Sequence, residues 1–152
     1  MFVFAQLCSY SYGQTVAVLL ADTPVLVRTV QSISPAMQVG QYVECQAVDA
    51  VWIGNVIVIP RGAIVIGEIA RIHKPLFRQS TEIEIKFIYV RTASGERAPL
   101  RSGRDLRADW KVRLVNGALP IGAETKAYVS RDMEVNTGVA PSRTGIDQVG
   151  EA

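Results

Sequence analysis

One histidine and two cysteines are all that this chain of 152 residues carries, and each scarcity removes a class of chemistry. With His73 alone, no histidine-based metal cluster can form, and a Ser-His-Asp arrangement would have to pass through that one residue. Cys8 and Cys45 are too few for a disulfide framework, and their spacing fits no zinc pattern. They read as unpaired thiols, or as a single disulfide if the chain is exported. An excess of one charge is missing too: 16 Lys and Arg against 14 Asp and Glu leave a net +2, so nothing global calls for nucleic acid or a membrane surface as partner. No apolar run reaches the roughly 20 residues that a membrane-spanning helix needs. What is present, 49% apolar and 20% charged residues, describes a folded chain with enough length for one domain and a real core.

The longest apolar stretch, NVIVIPRGAIVIGEIARI (residues 55–72), decides the fold class. Val56 to Ile59 and Ala63 to Ile69 are almost all Val, Ile and Ala, and β-branched side chains lose χ1 freedom in a helix while packing well on a pleated surface. Pro60 would break a helix here, and Gly62 and Gly67 would weaken it further. The stretch therefore predicts two strands joined by a Pro-Arg-Gly turn. TVAVLL and TPVLVRTV are strand-like too, YVECQAVDAVWI alternates, and most clearly TEIEIKFIYVRT does, where Ile83, Ile85 and Phe87 alternate with Glu82, Glu84 and Lys86; WKVRLVNGALPIGAETKAYVSRDMEV reads as strand-turn-strand. Turn signals such as Gly40-Gln41, Gly54-Asn55, Ser94-Gly95 and Asn116-Gly117 punctuate these segments about every eight to twelve residues. The fold class is all-β, a small antiparallel β-barrel or sandwich.

One short helix is expected over about 102–111. Ser102 and Asp105 have the capping-box spacing, and Leu106 and Trp110 lie one helical turn apart. Residues 1–14, MFVFAQLCSYSYGQ, read as the remnant of a secretory signal, with Ser11 and Gly13 as the small residues of a cleavage site; a first β-strand is the other reading. Export places the domain in the periplasm or at the outer envelope. Residues 15–137 form the barrel domain, and 138–152, rich in Gly, Ser and Pro, read as a disordered tail.

Candidate chemistry is sparse. His73 falls just after a strand, before Lys74-Pro75, where a solvated loop position is expected. Glu82 and Glu84 share a strand face about 7 Å apart, a spacing glycosidases use. Lys86 continues the row, however, and an ordinary wet face accounts for both acids. Asp49 and Glu68 are isolated acids expected at exposed strand ends. Between Arg97 and Arg113 lie Arg97, Arg101, Arg104, Arg107, Lys111 and Arg113 against Asp105 and Asp109, six cations minus two acids, or +4. With Trp110 interleaved, Arg97, Arg101, Arg104, Arg107 and Lys111 are the candidate ligands for phosphate, an anionic lipid headgroup or an acidic glycan. A solvated, partly ion-paired helix is the plainer reading. Trp52 and Trp110 are expected as packing residues. No metal, cofactor or nucleic acid is expected.

The succession S-I-S-P-A-M-Q-V-G, V-I-V-I-P-R-G-A-I-V-I-G-E-I and I-E-I-K-F-I-Y-V-R-T-A-S-G-E-R-A-P-L resembles the C-terminal β-barrel domain of type IV secretion and conjugation scaffold proteins. The resemblance covers roughly residues 32–100 and rests on the turn or strand-breaking residues Pro60, Gly62, Gly67 and Gly95. Within these 152 residues there is no inner-membrane helix, proline-rich periplasmic stretch or inserted helical pair of the kind such scaffolds have. The resemblance therefore implies a related small barrel of the envelope; small exported β-domains without established activity match equally well. Three functions are expected to compete: a non-catalytic envelope module that binds other envelope proteins or itself, a subunit of a secretion or conjugation outer-membrane complex, and an acid-based hydrolase.

Overall fold

The structure is a computed structural model and describes residues 16–76, 80–103, 109–115 and 117–137. Eleven strands follow in chain order: β1 (Val16–Leu19), β2 (Pro24–Thr29), β3 (Tyr42–Ala47), β4 (Val51–Ile53), β5 (Val56–Ile59), β6 (Ile64–His73), β7 (Ser80–Arg91), β8 (Arg97–Arg101), β9 (Trp110–Val115), β10 (Glu124–Val129) and β11 (Met133–Asn136). Among the described residues there is no helix.

Six strands close a barrel. β2, β3, β6, β7, β8 and β10 meet around the ring in the order they have along the chain, each pair antiparallel, and β10 returns to β2 to seal it. Antiparallel neighbours need only short connections, and closure gives every member strand a neighbour on each side within the ring. The shortest seam is β8 on β10, where only Tyr128 with Arg101 and Val129 with Leu100 are paired. Along each strand alternate residues turn inward: Val25, Val27 and Thr29; Val43, Cys45 and Ala47; Ile83, Ile85 and Phe87. A ring this small is filled by such side chains. Two further two-stranded sheets, β1–β11 and β4–β5, add Leu19, Val135, Val58 and Ile59 to the same core.

The turns carry the expected residues. Pro60 and Gly62 form the turn after β5, where Gly62 adopts φ +82° and its N–H donates to the Ala47 carbonyl at 2.8 Å. The two strands it joins do not pair with each other: β5 pairs with β4, and β6 with β3 and β7. Gly95, at φ +88°, turns β7 into β8. Gly67 is not at a turn. It lies inside β6 at a slip of register, where a Cβ would stand 3.0 Å from Ile85 Cγ2. The segment YVECQAVDAVWI also divides, into β3 and β4 with a bend between.

The helix expected over 102–111 is absent at both of its described ends. Trp110 and Lys111 open β9 and pair with Ile85 and Glu84. Ser102 spends its hydroxyl on β7: it donates to the Ile85 carbonyl at 3.0 Å and accepts from the Phe87 N–H at 2.9 Å. That hydroxyl bridges the interruption between β8 and β9, which occupy successive stretches of the same β7 edge. Non-local pairing outweighs the local helical signal, as it does where a strand gains a partner and a buried face together. Residues 104–108, within the expected helix, lie outside the described residues, as do the signal-like segment 1–14 and the tail 138–152.

Candidate functional site

β6 and β7 are longer than the barrel is tall. β3 accompanies β6 only as far as Tyr42 opposite Glu68, yet β6 runs on to His73 and pairs through it with the first half of β7. β9 then joins the far side of β7, from Trp110 opposite Ile85 to Val115 opposite Ser80. The result is a three-stranded extension, β6–β7–β9, about 20 Å long by strand rise. Its inner face continues the core through Ile69, Ile83, Ile85, Val112 and Leu114. Trp110 stacks on Phe87 there, ring centroids 5.9 Å apart and planes 18° from parallel.

The outer face is a grid of charge. One row places Arg71, Glu84 and Lys111 side by side; the next places His73, Glu82 and Arg113. In both, an acid of β7 lies between bases of its two neighbours. Glu84 receives Arg71 Nε at 3.8 Å and Lys111 Nζ at 3.6 Å. Exposed pairs of this kind contribute only about 0.2–1 kcal/mol each, so the grid neutralises the face more than it holds it together. Beyond it, Glu68 stands opposite Lys86. A recess of about 300 Å³ opens at the end of the grid, lined by His73, Pro75, Ser80, Glu82 and Arg113.

The extension keeps two open edges. Among the described residues, β9 is the terminal strand of the sheet, paired with β7 alone, and β6 beyond Ile69 has no neighbour on the side that β3 has left. β9 offers the longer edge. Its residues alternate in the way an edge strand bounded by a wet face does: Lys111 and Arg113 outward and exposed, Val112 and Leu114 inward and buried.

The basic cluster expected from the sequence does not gather at one point. Arg97 lies over the Tyr89 ring at 4.7 Å, with Arg91 at 5.9 Å from the same ring. Arg101 is ion-paired with Asp22, donates to the Gly103 carbonyl at 2.8 Å and lies 5.9 Å from the Tyr128 ring. Lys111 leans on Glu84, and Trp110 faces the core. Arg97 pairs opposite Arg91 and Lys111 opposite Glu84, which puts roughly 20 Å of β7 between them. Arg104 and Arg107 lie outside the described residues. Trp52, expected to pack, is 58% exposed on the β4–β5 hairpin. His73 ends β6 and faces solvent; Asp49 is exposed and Glu68 half-buried.

Cys45 is a buried free thiol on the inner face of β3, and burial, aided by the charge of Glu44, pushes it up to about 12. It therefore stays protonated and inert at neutral pH. Cys8 lies outside the described residues. No cluster of three His, Cys, Asp or Glu side chains is assembled among the described residues, and no helix among them is long and apolar enough to cross a membrane.

The edge of β9 is the feature sequence reasoning missed. WKVRLV shows its alternation openly, but whether a strand has one neighbour or two depends on pairings far away in the chain. Compared with protein-family models and with curated proteins, the sequence gives no significant match.

Proposed function

We propose that this protein is a non-catalytic β-barrel module of the periplasm or outer envelope that acts by binding other proteins along its sheet extension. The observation that carries the reading is the edge of β9, six residues long, which has no neighbour among the described residues and stands beyond the closed ring. A closed ring gives up the commonest route to strand pairing with a partner; an extension with open edges restores that route, and β9 offers the longer of its two. The filled interior supports the same reading, since the inward positions of the ring are taken by packed side chains such as Phe87, Ile85 and Val65. Export rests on the signal-like residues 1–14.

A second reading, a subunit of a secretion or conjugation complex, rests on the resemblance across residues 32–100, whose turns at Pro60–Gly62 and Gly95 the fold retains. It demands contacts between copies. Both readings meet one experiment. A photo-crosslinking amino acid is placed at Arg113 on the open strand and, in a second version, at Gln46, which is flanked by β2 and β6 on the closed wall. Irradiation in the native cell is expected to give adducts to another envelope protein from position 113 and none from 46. Adducts between two copies would favour the ring-forming complex, and equal or absent adducts at both positions would remove the binding reading.

A further inference from the structure

We propose that the open edge of β9 docks an extended segment of another protein in which acidic residues alternate with apolar ones. This rests on the binding role given above and names the chemistry of its partner.

The sheet itself states the rule. Across the grid, each outward acid of β7 lies between a base on β6 and a base on β9: Arg71, Glu84, Lys111 in one row and His73, Glu82, Arg113 in the next. The alternation base, acid, base stops at β9, which is the last strand of the sheet among the described residues. A further strand would lie beside Lys111 and Arg113, about 4.8 Å away in the pairing direction. Cross-strand neighbours of opposite charge stabilise a sheet and like charges directly opposite destabilise it, so the missing member of each row is an acid. The sites are available. Lys111 reaches Glu84 but keeps 64% of its side chain exposed, and Arg113 makes no ion pair among the described residues. On the other face the docked strand would continue the row of Val112 and Leu114, which calls for β-branched or aliphatic residues between the acids.

The same charges decide against two other occupants. A second copy of β9 would bring Lys111 and Arg113 against their own counterparts, a repulsive arrangement of the sort natural edge strands use to avoid self-pairing. The chain's own terminal segments lack the pattern: residues 1–15 contain no acid, and 138–152 contain only Asp147 and Glu151, four apart, where rows built on 111 and 113 need acids two apart. The edge thus repels itself and selects a foreign acidic strand, attraction and rejection being supplied by one pair of side chains.

The test uses the full chain and two fluorescein-labelled synthetic peptides, STVEIEIT and STVKIKIT, titrated by fluorescence anisotropy. The acidic peptide is expected to bind at least about tenfold more tightly than the basic one and to weaken as salt is raised, because the contacts are exposed. In the double variant Lys111→Glu, Arg113→Glu the order of preference reverses. Should that variant not fold, judged by circular dichroism, the neutral pair Lys111→Gln, Arg113→Gln is expected to bind the two peptides equally. Hydrogen exchange gives the location: amides of β9 slow on adding the acidic peptide, and those of β3 do not change. Equal affinity for both peptides, no binding of either, or a preference that survives charge reversal would each overturn the proposal. If crosslinks form from position 113 while the peptides are not distinguished, the acidic strand is wrong and the binding role stands; if no crosslinks form, the binding role itself falls.

Discussion

β6 and β7 run through two settings, and the contrast between them is the most instructive feature of the molecule. In the barrel, Ile64 to Glu68 has β3 on one side and β7 on the other; in the extension, Arg71 to His73 has β7 only. The inward residues barely change, Val65 and Val90 above, Ile83 and Ile85 below. The outward ones change in balance, Glu68 opposite Lys86 being the charged pair within the barrel stretch. Ile64, Ile66 and Tyr89 cover the barrel wall, whereas Arg71, His73, Glu82 and Glu84 cover the extension. On the two edge strands of the extension the outward residues are basic, Arg71 and His73 on β6 and Lys111 and Arg113 on β9, and charge on an edge is how natural sheets keep it from pairing indiscriminately.

The largest effect expected to separate the two regions is in the core. Phe87 is fully buried at their junction and carries Trp110 on its ring. Phe87→Ala is expected to cost about 3–5 kcal/mol, the usual range for a large aromatic removed from a well-packed interior. Urea denaturation at neutral pH measures it. A cost below about 1 kcal/mol would mean that the junction is loosely filled and the two regions are not one core.

Next comes a pH effect confined to the barrel wall. Cys45 has its thiol raised from 9.0 to about 12 by burial and by Glu44. In the folded state it holds its proton where the unfolded chain has already lost it. The stabilising contribution is therefore complete below pH 9 and is lost as pH rises toward 12. Wild-type protein is expected to lose stability more steeply than Cys45→Ala between pH 9 and 12, with parallel curves at lower pH. The comparison cancels the other groups that titrate there. Parallel curves throughout would mean that water reaches the inner face of β3, and the contrast between a dry barrel and a wet extension would weaken.

How much of this was legible follows the same division. Strand class came through because Val, Ile and Ala alternate with polar residues wherever a strand has a wet face, as at Glu82 to Phe87, and because Pro60, Gly62 and Gly95 mark turns by conformations other residues resist. The barrel was legible as one of two arrangements, barrel or sandwich, but not the seam that closes it, since β10 finds β2 almost a hundred residues away and the sequence holds no local sign of that pairing. Gly67 looked like punctuation but answers a steric need, the close approach of Ile85 across a slip of register. The candidate site fared similarly. A run of cations from Arg97 to Arg113 counts as one cluster along the chain, yet β8 and β9 lie end to end on β7 and spread it over roughly 20 Å. Ser102 illustrates the reverse error: a residue suited to start a helix instead closes the gap between those two strands.

The smallest expected effect belongs to the charged grid. Glu84 is close to two cations, at 3.8 and 3.6 Å, but Arg71 and Lys111 keep 72% and 64% of their side chains exposed, so water screens both pairs. Glu84→Gln should therefore cost less than about 1 kcal/mol, and less still at high salt. The glutamine is nearly the same size and leaves the cations solvated rather than buried, so packing on the strand is unchanged. Its effect on the neighbouring edge should be opposite in sense to its effect on stability. With Glu84 neutral, Lys111 loses its ion-pair partner on β7 and is freer to meet an acid arriving at β9. A loss of several kcal/mol on this substitution would mean that the grid holds the extension together. The charges would then be a structural clasp, and the contrast between a packed barrel and an extension built for contact would have to be abandoned.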